Sequence, residues 1–242
     1  MSQKNERYEH EACFIFCPIM LPRPTASSDR ETRTSIHRFN RRAIELWQAA
    51  SLISAEEPGL LTASDKDTAR RRGRAAGRRV LTECPKGKAT VAYFRTLSGD
   101  GLQAEASAIS AMTDRVWLLE DRCGLANDYL RAVADVALQH QTGCILCPNP
   151  LRRDQLEAVF LPGCRAAFLS LNAAEQMDLY VGHRVHLDRI PDPERKQALR
   201  QKLKENRTWT KALTERAAEQ LRNAEILRDL KSDTCACVHR SL

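Results

Sequence analysis

The stretch RVWLLEDRCGLANDYLRAVADVALQH (115–140) constrains the fold of this chain more than any other. Residues 115–119 form an apolar run of the length expected for a buried strand. Leu125, Tyr129, Val133, Val136 and Ala137 then recur at helical spacing, and Gly124 marks the turn between the two. A buried strand that feeds directly into a helix is the first half of a β-α-β unit, and GCILCP (143–148) supplies a second strand. AVFLPGCRAAFLSL (158–171) reads as strand, Pro-Gly turn, strand, and HRVHLD adds one more. Upstream, ATVAYFRTL (89–97) reads as a strand, SGDG as a turn, and LQAEASAISAM as a helix with Leu102, Ala106, Ile109 and Met112 on one side. The expectation is an α/β domain whose ligand site lies where a helix follows the carboxyl ends of the strands, at residues 120–128.

That loop can be laid over the phosphate-binding pattern GxxxxGK[ST]. In the pattern, glycines turn N–H groups inward, the lysine reaches the terminal phosphates and the hydroxyl holds magnesium. The eight positions are Asp121, Arg122, Cys123, Gly124, Leu125, Ala126, Asn127 and Asp128. Asp and Ala stand for the two glycines, Asn127 for the lysine and Asp128 for the hydroxyl; only the interior Gly124 and the strand-loop-helix setting remain. Asp128, Asp121 and Glu120 would place negative charge where a triphosphate lies. Each such pair costs roughly 3 kcal/mol at ~5 Å and an effective dielectric of ~20, whereas the helix start returns about 1 kcal/mol. Arg122 offsets part of this if it folds inward. A second reading has Asp128 ligating magnesium directly, with Asp121 sharing the ion.

The order of elements resembles a group of bacterial P-loop ATPases, or nucleotide-kinase-like proteins, often built from two tandem P-loop halves. AYFRTLSGDGL is similar to the family's opening strand and glycine turn, and ISAMTDRVWLLEDRCGLAND to the approach to its phosphate loop. ILCPNPLRRDQLEAVFLPGCRAAFLSL is similar to its Cys-Pro strand and hairpin, and RAAEQLRNAEILRDL to its closing helix. The resemblance covers about 88–232, one half-unit. It implies a P-loop NTPase-like β-α-β sheet domain with a long C-terminal helical region, nucleotide contacts at residues 121–128 and a metal at Asp128. With lysine and hydroxyl lost, the role implied is that of a pseudoenzyme, structural or regulatory, partnering an intact P-loop relative or a second copy. No cofactor is then expected. ATP and magnesium belong to the alternative, an ATPase or nucleotide-kinase-like enzyme with an unusual loop.

The remaining text divides the chain at residue 88. Residues 1–88 carry 17 Lys and Arg against 11 Asp and Glu; the rest carries 21 against 20. Residues 1–87 read as a basic, poorly ordered or weakly helical N-terminal extension, and 88–242 as the α/β domain with its C-terminal helices. IHRFNRRAIELWQAASLI suggests an amphipathic helix with Ile36, Phe39, Ala43, Leu46 and Trp47 on one side. DTARRRGRAAGRRV has no apolar face and reads as a solvated run. Nucleic-acid binding through Arg70–Arg79 is a weaker alternative, since only 5% of residues are aromatic and base stacking has little to work with. Residues 193–231 read as one helix, or two joined near ENRT, with Leu199, Leu203, Trp209, Leu213, Ala217, Leu221, Ala224 and Leu227 packed on the sheet. No run reaches the ~18 apolar residues of a membrane span. Nine cysteines without a leader suggest reduced thiols in a cytoplasm.

Other groupings have weaker claims. VWLLED resembles a strand whose closing acids hold metal-bound water, but the upstream loop it requires, TECPKGKAT, lacks the right residues and a preceding strand. Cys144 and Cys147 lie three apart on a strand, as do His183 and His186, so each pair points to opposite faces. Cys235, Cys237 and His239, and His10, Cys13 and Cys17, lack the paired spacing of a zinc site.

Overall fold

Leu156–Leu161 and Ala166–Ser170 are apolar at almost every position, which suits strands covered on both faces. In the computed structural model, which describes residues 19–25, 30–55, 61–104, 111–174 and 181–238, they are central strands of a six-stranded sheet. The helices are α1 (Arg30–Ala55), α2 (Ala63–Val80), α3 (Ala126–Gln139), the single turn α4 (Leu171–Ala174) and α5 (Pro193–Val238). The strands are β1 (Ala89–Val91), β2 (Arg95–Ser98), β3 (Gly101–Ala104), β4 (Arg115–Glu120), β5 (Cys144–Pro148), β6 (Leu156–Leu161), β7 (Ala166–Ser170) and β8 (His183–His186). Two compact units result, one drawn from 57–94 and 104–204, the other from 17–56, 95–103 and 205–242. Among the described residues no helix is long and apolar enough to cross a membrane.

The first unit contains the sheet, in the order β1-β5-β6-β7-β4-β8. All strands run one way except β6, which pairs antiparallel with β5 and β7. The chain leaves β4 through α3 and returns on β5, parallel to β4 with two strands between them. The expected β-α-β unit is thus present, with the expected hairpin, β6 and β7, filling its gap. Side chains alternate across the sheet. Val159, Leu161, Ala166 and Phe168 join Tyr129, Leu130 and Val133 of α3 in one cluster; Ala158, Phe160, Ala167 and Leu169 form the other, where Phe94 meets Phe160 edge-on at 5.9 Å. Each large apolar side chain buried this way contributes about 1.5–3 kcal/mol. This packs α3, and the loop that starts it, against the sheet's apolar core.

The Arg/Ala/Gly run departs furthest from expectation. It is not a solvated run but an 18-residue helix, α2, packed along α3 within the sheet unit. Its buried positions are Asp65, Ala69, Gly73, Gly77 and Val80, a helical stripe built mainly of residues too small to register as an apolar face. A Cβ on Gly73 would sit 2.4 Å from the Tyr129 carbonyl oxygen and 3.1 Å from the Ala132 Cβ, so the two helices meet backbone against side-chain root. Thr62 and Asp65 form a reciprocal capping box at the α2 start. Residues 63–80 of the supposed extension therefore fold with the α/β domain, and α1 is a helix of 26 residues with Ile36, Ala43, Trp47 and Ala50 buried.

Other differences are local. Residues 89–97 are two strands, β1 paired with β5 and β2 paired with β3, because the chain breaks at 92–94. Leu102 lies in β3 and not in a helix: Gly101, at φ 105°, follows a two-residue turn that folds the chain back as a hairpin. Ala106 and Ile109 lie outside the described residues. The α5 helix continues through ENRT; Leu199, Ala217, Leu221 and Ala224 are buried, while Trp209 is 65% exposed. From residue 205 the helix belongs to the second unit. There the Gly99 amide donates to Glu225 Oε1 at 3.4 Å. The Cys84 and Cys164 sulfurs meet across 80 residues with Cα atoms 5.3 Å apart, within the span of a disulfide.

Two outcomes follow from α2. Gly73→Ala improves intrinsic helix propensity by about 1 kcal/mol, yet the 2.4 Å contact outweighs this; urea unfolding should show a net loss of about 1–3 kcal/mol. A gain would mean that α2 is solvated. Burial alone would raise the Asp65 carboxyl, but hydrogen bonds from the Thr62 amide and hydroxyl, and from Arg195 Nη1 at 2.6 Å, hold it below its usual range. Asp65 therefore stabilises the fold above about pH 3.9, and this is lost as pH falls through its lower folded value. Asp65→Asn should flatten the acid limb of a stability-against-pH curve; an unchanged limb would exclude this role.

Candidate functional site

Between Glu120 and Ala126 the chain turns inward at Gly124, whose φ of 94° is accessible to glycine and strained for other residues. This explains why the interior glycine of the template is present. The turn aligns backbone donors. The amides of Cys123 and Gly124 both donate to Asp121 Oδ1 at 2.9 Å, and the Ala126 amide donates to Asp121 Oδ2 at 2.7 Å. Convergent N–H groups at a helix start form an anion-binding concavity. Here the anion is the loop's own carboxylate, and Asp121 is only 6% exposed. The Asp121 carboxylate turns into the loop and occupies these three donors.

The other template positions are equally committed. Asn127, at the lysine position, is tied by its Oδ1, which accepts from the Leu156 amide at 2.9 Å and from Arg131 Nε at 3.2 Å. This ties the first turn of α3 to the start of β6. Asp128, at the hydroxyl position, accepts on Oδ1 from Arg70 Nε at 2.9 Å and pairs with Nη2 of the same guanidinium at 2.7 Å. Arg70 also reaches Asp67 at 3.2 Å. Arg122 is exposed and does not fold inward, Leu125 is fully buried and Ala126 is half-buried. The Cys123 thiol is pushed up to about 11, first by burial and then by Asp121 and Asp188, so it is protonated at neutral pH and a poor nucleophile.

Neighbouring acids have their own partners. Glu120 accepts from Arg184 Nη1 and is paired with His186 Nδ1, each at 2.6 Å, and the Arg184 hydrogen bond is the main cause of its lowered carboxyl pKa. Asp188 is held by Arg200 at 2.6 Å and Lys196 at 3.5 Å. Sequence reasoning missed Arg70, Arg184 and Arg200, which lie 58, 64 and 12 residues from their acids. No spacing signal carries pairs of the first two kinds. His183 stacks on Trp117 at 4.7 Å while His186 turns to Glu120, as opposite faces require. Cys144 and Cys147 likewise enter opposite core clusters as buried free thiols. Gly87 of TECPKGKAT lies against Gly143, with a Cβ there meeting its Cα at 2.8 Å, and it follows a 3-10 turn instead of a strand. An open pocket of about 210 Å³ lies at the amino ends of β1 and β5, away from the loop, lined by Lys86 and Lys88 but by no carboxylate or histidine.

The residues present do not fit a magnesium-nucleotide. No cation stands at the lysine position, the Cys123, Gly124 and Ala126 amides are taken by Asp121, and Asp128 is bonded to Arg70. Among the described residues no group of three or more His, Cys, Asp and Glu is placed to hold a metal ion. His10, Cys13, Cys17 and His239 lie outside the described residues, as do the side chains of Cys235 and Cys237. No family model, curated protein or solved structure matches the chain.

Asp121→Ala removes one charged acceptor from three amides. Urea unfolding should show a loss of about 2–4 kcal/mol. A loss below about 0.5 kcal/mol would mean that water replaces the carboxylate freely and that it does not organise the loop.

Proposed function

We propose that this chain is a P-loop NTPase-like protein whose phosphate loop has been converted into a structural element, and that its role is non-catalytic, structural or regulatory. The observation that carries the reading is the Asp121 carboxylate accepting from the Cys123, Gly124 and Ala126 amides. A strand-loop-helix that keeps its glycine and its inward amides, but fills them from within, fits descent from a phosphate site better than construction from nothing. Asn127 bonded to β6 and Asp128 bonded to α2 support it, because both former contact positions now fasten secondary structure. A cytoplasmic setting and a protein partner, either an intact P-loop relative or a second copy, belong to the same reading. The competing reading, an ATPase or nucleotide kinase, requires the Asp121 carboxylate to leave three donors and Asn127 to leave β6 before a triphosphate enters.

Thermal unfolding of the full chain with magnesium and millimolar ATP discriminates the two. Ligand at ~100 times its dissociation constant adds roughly 2.7 kcal/mol, a shift of several degrees. The expected result is no shift with ATP, GTP or inorganic phosphate. A magnesium-dependent shift would overturn the structural reading.

A further inference from the structure

Packing of Ala69, Gly73 and Gly77 on α3 dictates where the rest of α2 points. Residues 61–88 hold nine Lys and Arg against three Asp and Glu, so nearly all of the chain's formal charge of +7 resides in this one segment. At about 100° per residue, Arg71, Arg72, Arg74, Arg78 and Arg79 all fall about 100° or more from Gly73, on the solvent half of the helix. All five are exposed, and among the described residues no carboxylate pairs with any of them. Arg70, on the flank, is the one arginine of the run taken by acids, Asp128 and Asp67. The five cations span only about 12 Å of helix.

We propose that this face of α2 binds the phosphodiester backbone of a duplex nucleic acid without regard to sequence. Every cation on it is a guanidinium, whose planar fork matches phosphate oxygens in a bidentate manner that an ammonium does not reproduce. A duplex presents one negative charge per ~1.7 Å of axis, so a 12 Å row of arginines meets several phosphates at once. The helix is held by its Thr62–Asp65 cap, by the Arg70–Asp128 pair and by the glycine contacts with α3, so the backbone carrying the arginines is ordered before binding. That order distinguishes it from a solvated basic tail. No aromatic residue lies on the face to stack single-stranded bases, and no large apolar residue to enter a lipid surface; Ala75 is the exposed non-polar residue among the arginines. The inference does not depend on any nucleotide reading of the β4–α3 loop.

The test uses the full chain and fluorescence anisotropy on a labelled DNA duplex of about 20 base pairs, in parallel with an RNA duplex of the same length. With five phosphate contacts, log affinity should fall with log salt at a slope of about −4.5, or about 500-fold between about 50 and 200 mM. The triple variant Arg71→Ala, Arg74→Ala, Arg78→Ala should bring the slope near −1.8 and the fall to about tenfold. Its far-UV dichroism and urea midpoint should remain those of the wild type, because the three side chains make no ion pair among the described residues. Arg41→Ala with Arg42→Ala on α1 is the control and should leave both slopes unchanged. Absence of duplex binding at about 50 mM salt, or a slope that survives the triple substitution, overturns the proposal. So does arginine-dependent binding to phosphatidylserine vesicles without duplex binding.

Discussion

One carboxylate and three backbone amides set the geometry of the edge where β4 gives way to α3. A helix start leaves its first N–H groups without partners, and in a buried setting each must find an acceptor. Asp121 supplies both oxygens, one to Cys123 and Gly124, the other to Ala126. Because Leu125 offers no side-chain cap, nothing else in the loop does this work. Once the turn is held, Leu125 and Tyr129 are driven into the core, Asn127 faces the start of β6, and Asp128 faces α2. The docking of α2 and the join to the β6–β7 hairpin both follow from the way this loop closes.

The same arrangement holds the loop's shape from within, with no external ligand required. Inward-pointing amides demand negative charge or water. The internal carboxylate meets that demand, and the turn still needs a residue that tolerates φ 94°, as Gly124 does. Asn127 and Asp128 bond elements far apart in the chain.

What could be read in advance divides along this line. The strands at 115–120, 144–148, 156–161 and 166–170 and the helix at 126–139 were legible because each is a strong local pattern of large apolar residues. The strand-to-helix turn at 121–128 was legible, but the bonds its side chains make were not. A carboxylate that folds onto its own loop and one that faces a ligand have the same sequence, and the Arg70–Asp128 and Arg184–Glu120 pairs bridge more than fifty residues. The α2 helix escaped notice for a different reason. Hydrophobic periodicity weighs side chains by size, and Ala69, Gly73 and Gly77 pack by having almost none. A step of four between small residues, within an arginine-rich run, was the available signal. Leu102 was misassigned because a four-residue strand after a glycine turn looks like the first turn of the helical spacing that follows it.

Charge on the two sides of α2 obeys opposite rules. On the inner side every acid near the loop has a partner within hydrogen-bonding reach: Asp65 with Arg195, Asp128 with Arg70, Glu120 with Arg184 and His186. Desolvation makes an unpaired charge there costly, so the partners are set by folding. On the outer side five arginines lie close together with no carboxylate paired to them among the described residues, and their mutual repulsion is a penalty that folding does nothing to relieve. A helix whose only task was to cover α3 would need its Ala/Gly stripe and its cap, and its solvent face could be any mixture of polar residues. The contrast between complete internal pairing and an unpaired arginine face within one 18-residue helix directs attention to an external anion, because in water alone the arrangement has no stabilising counterpart.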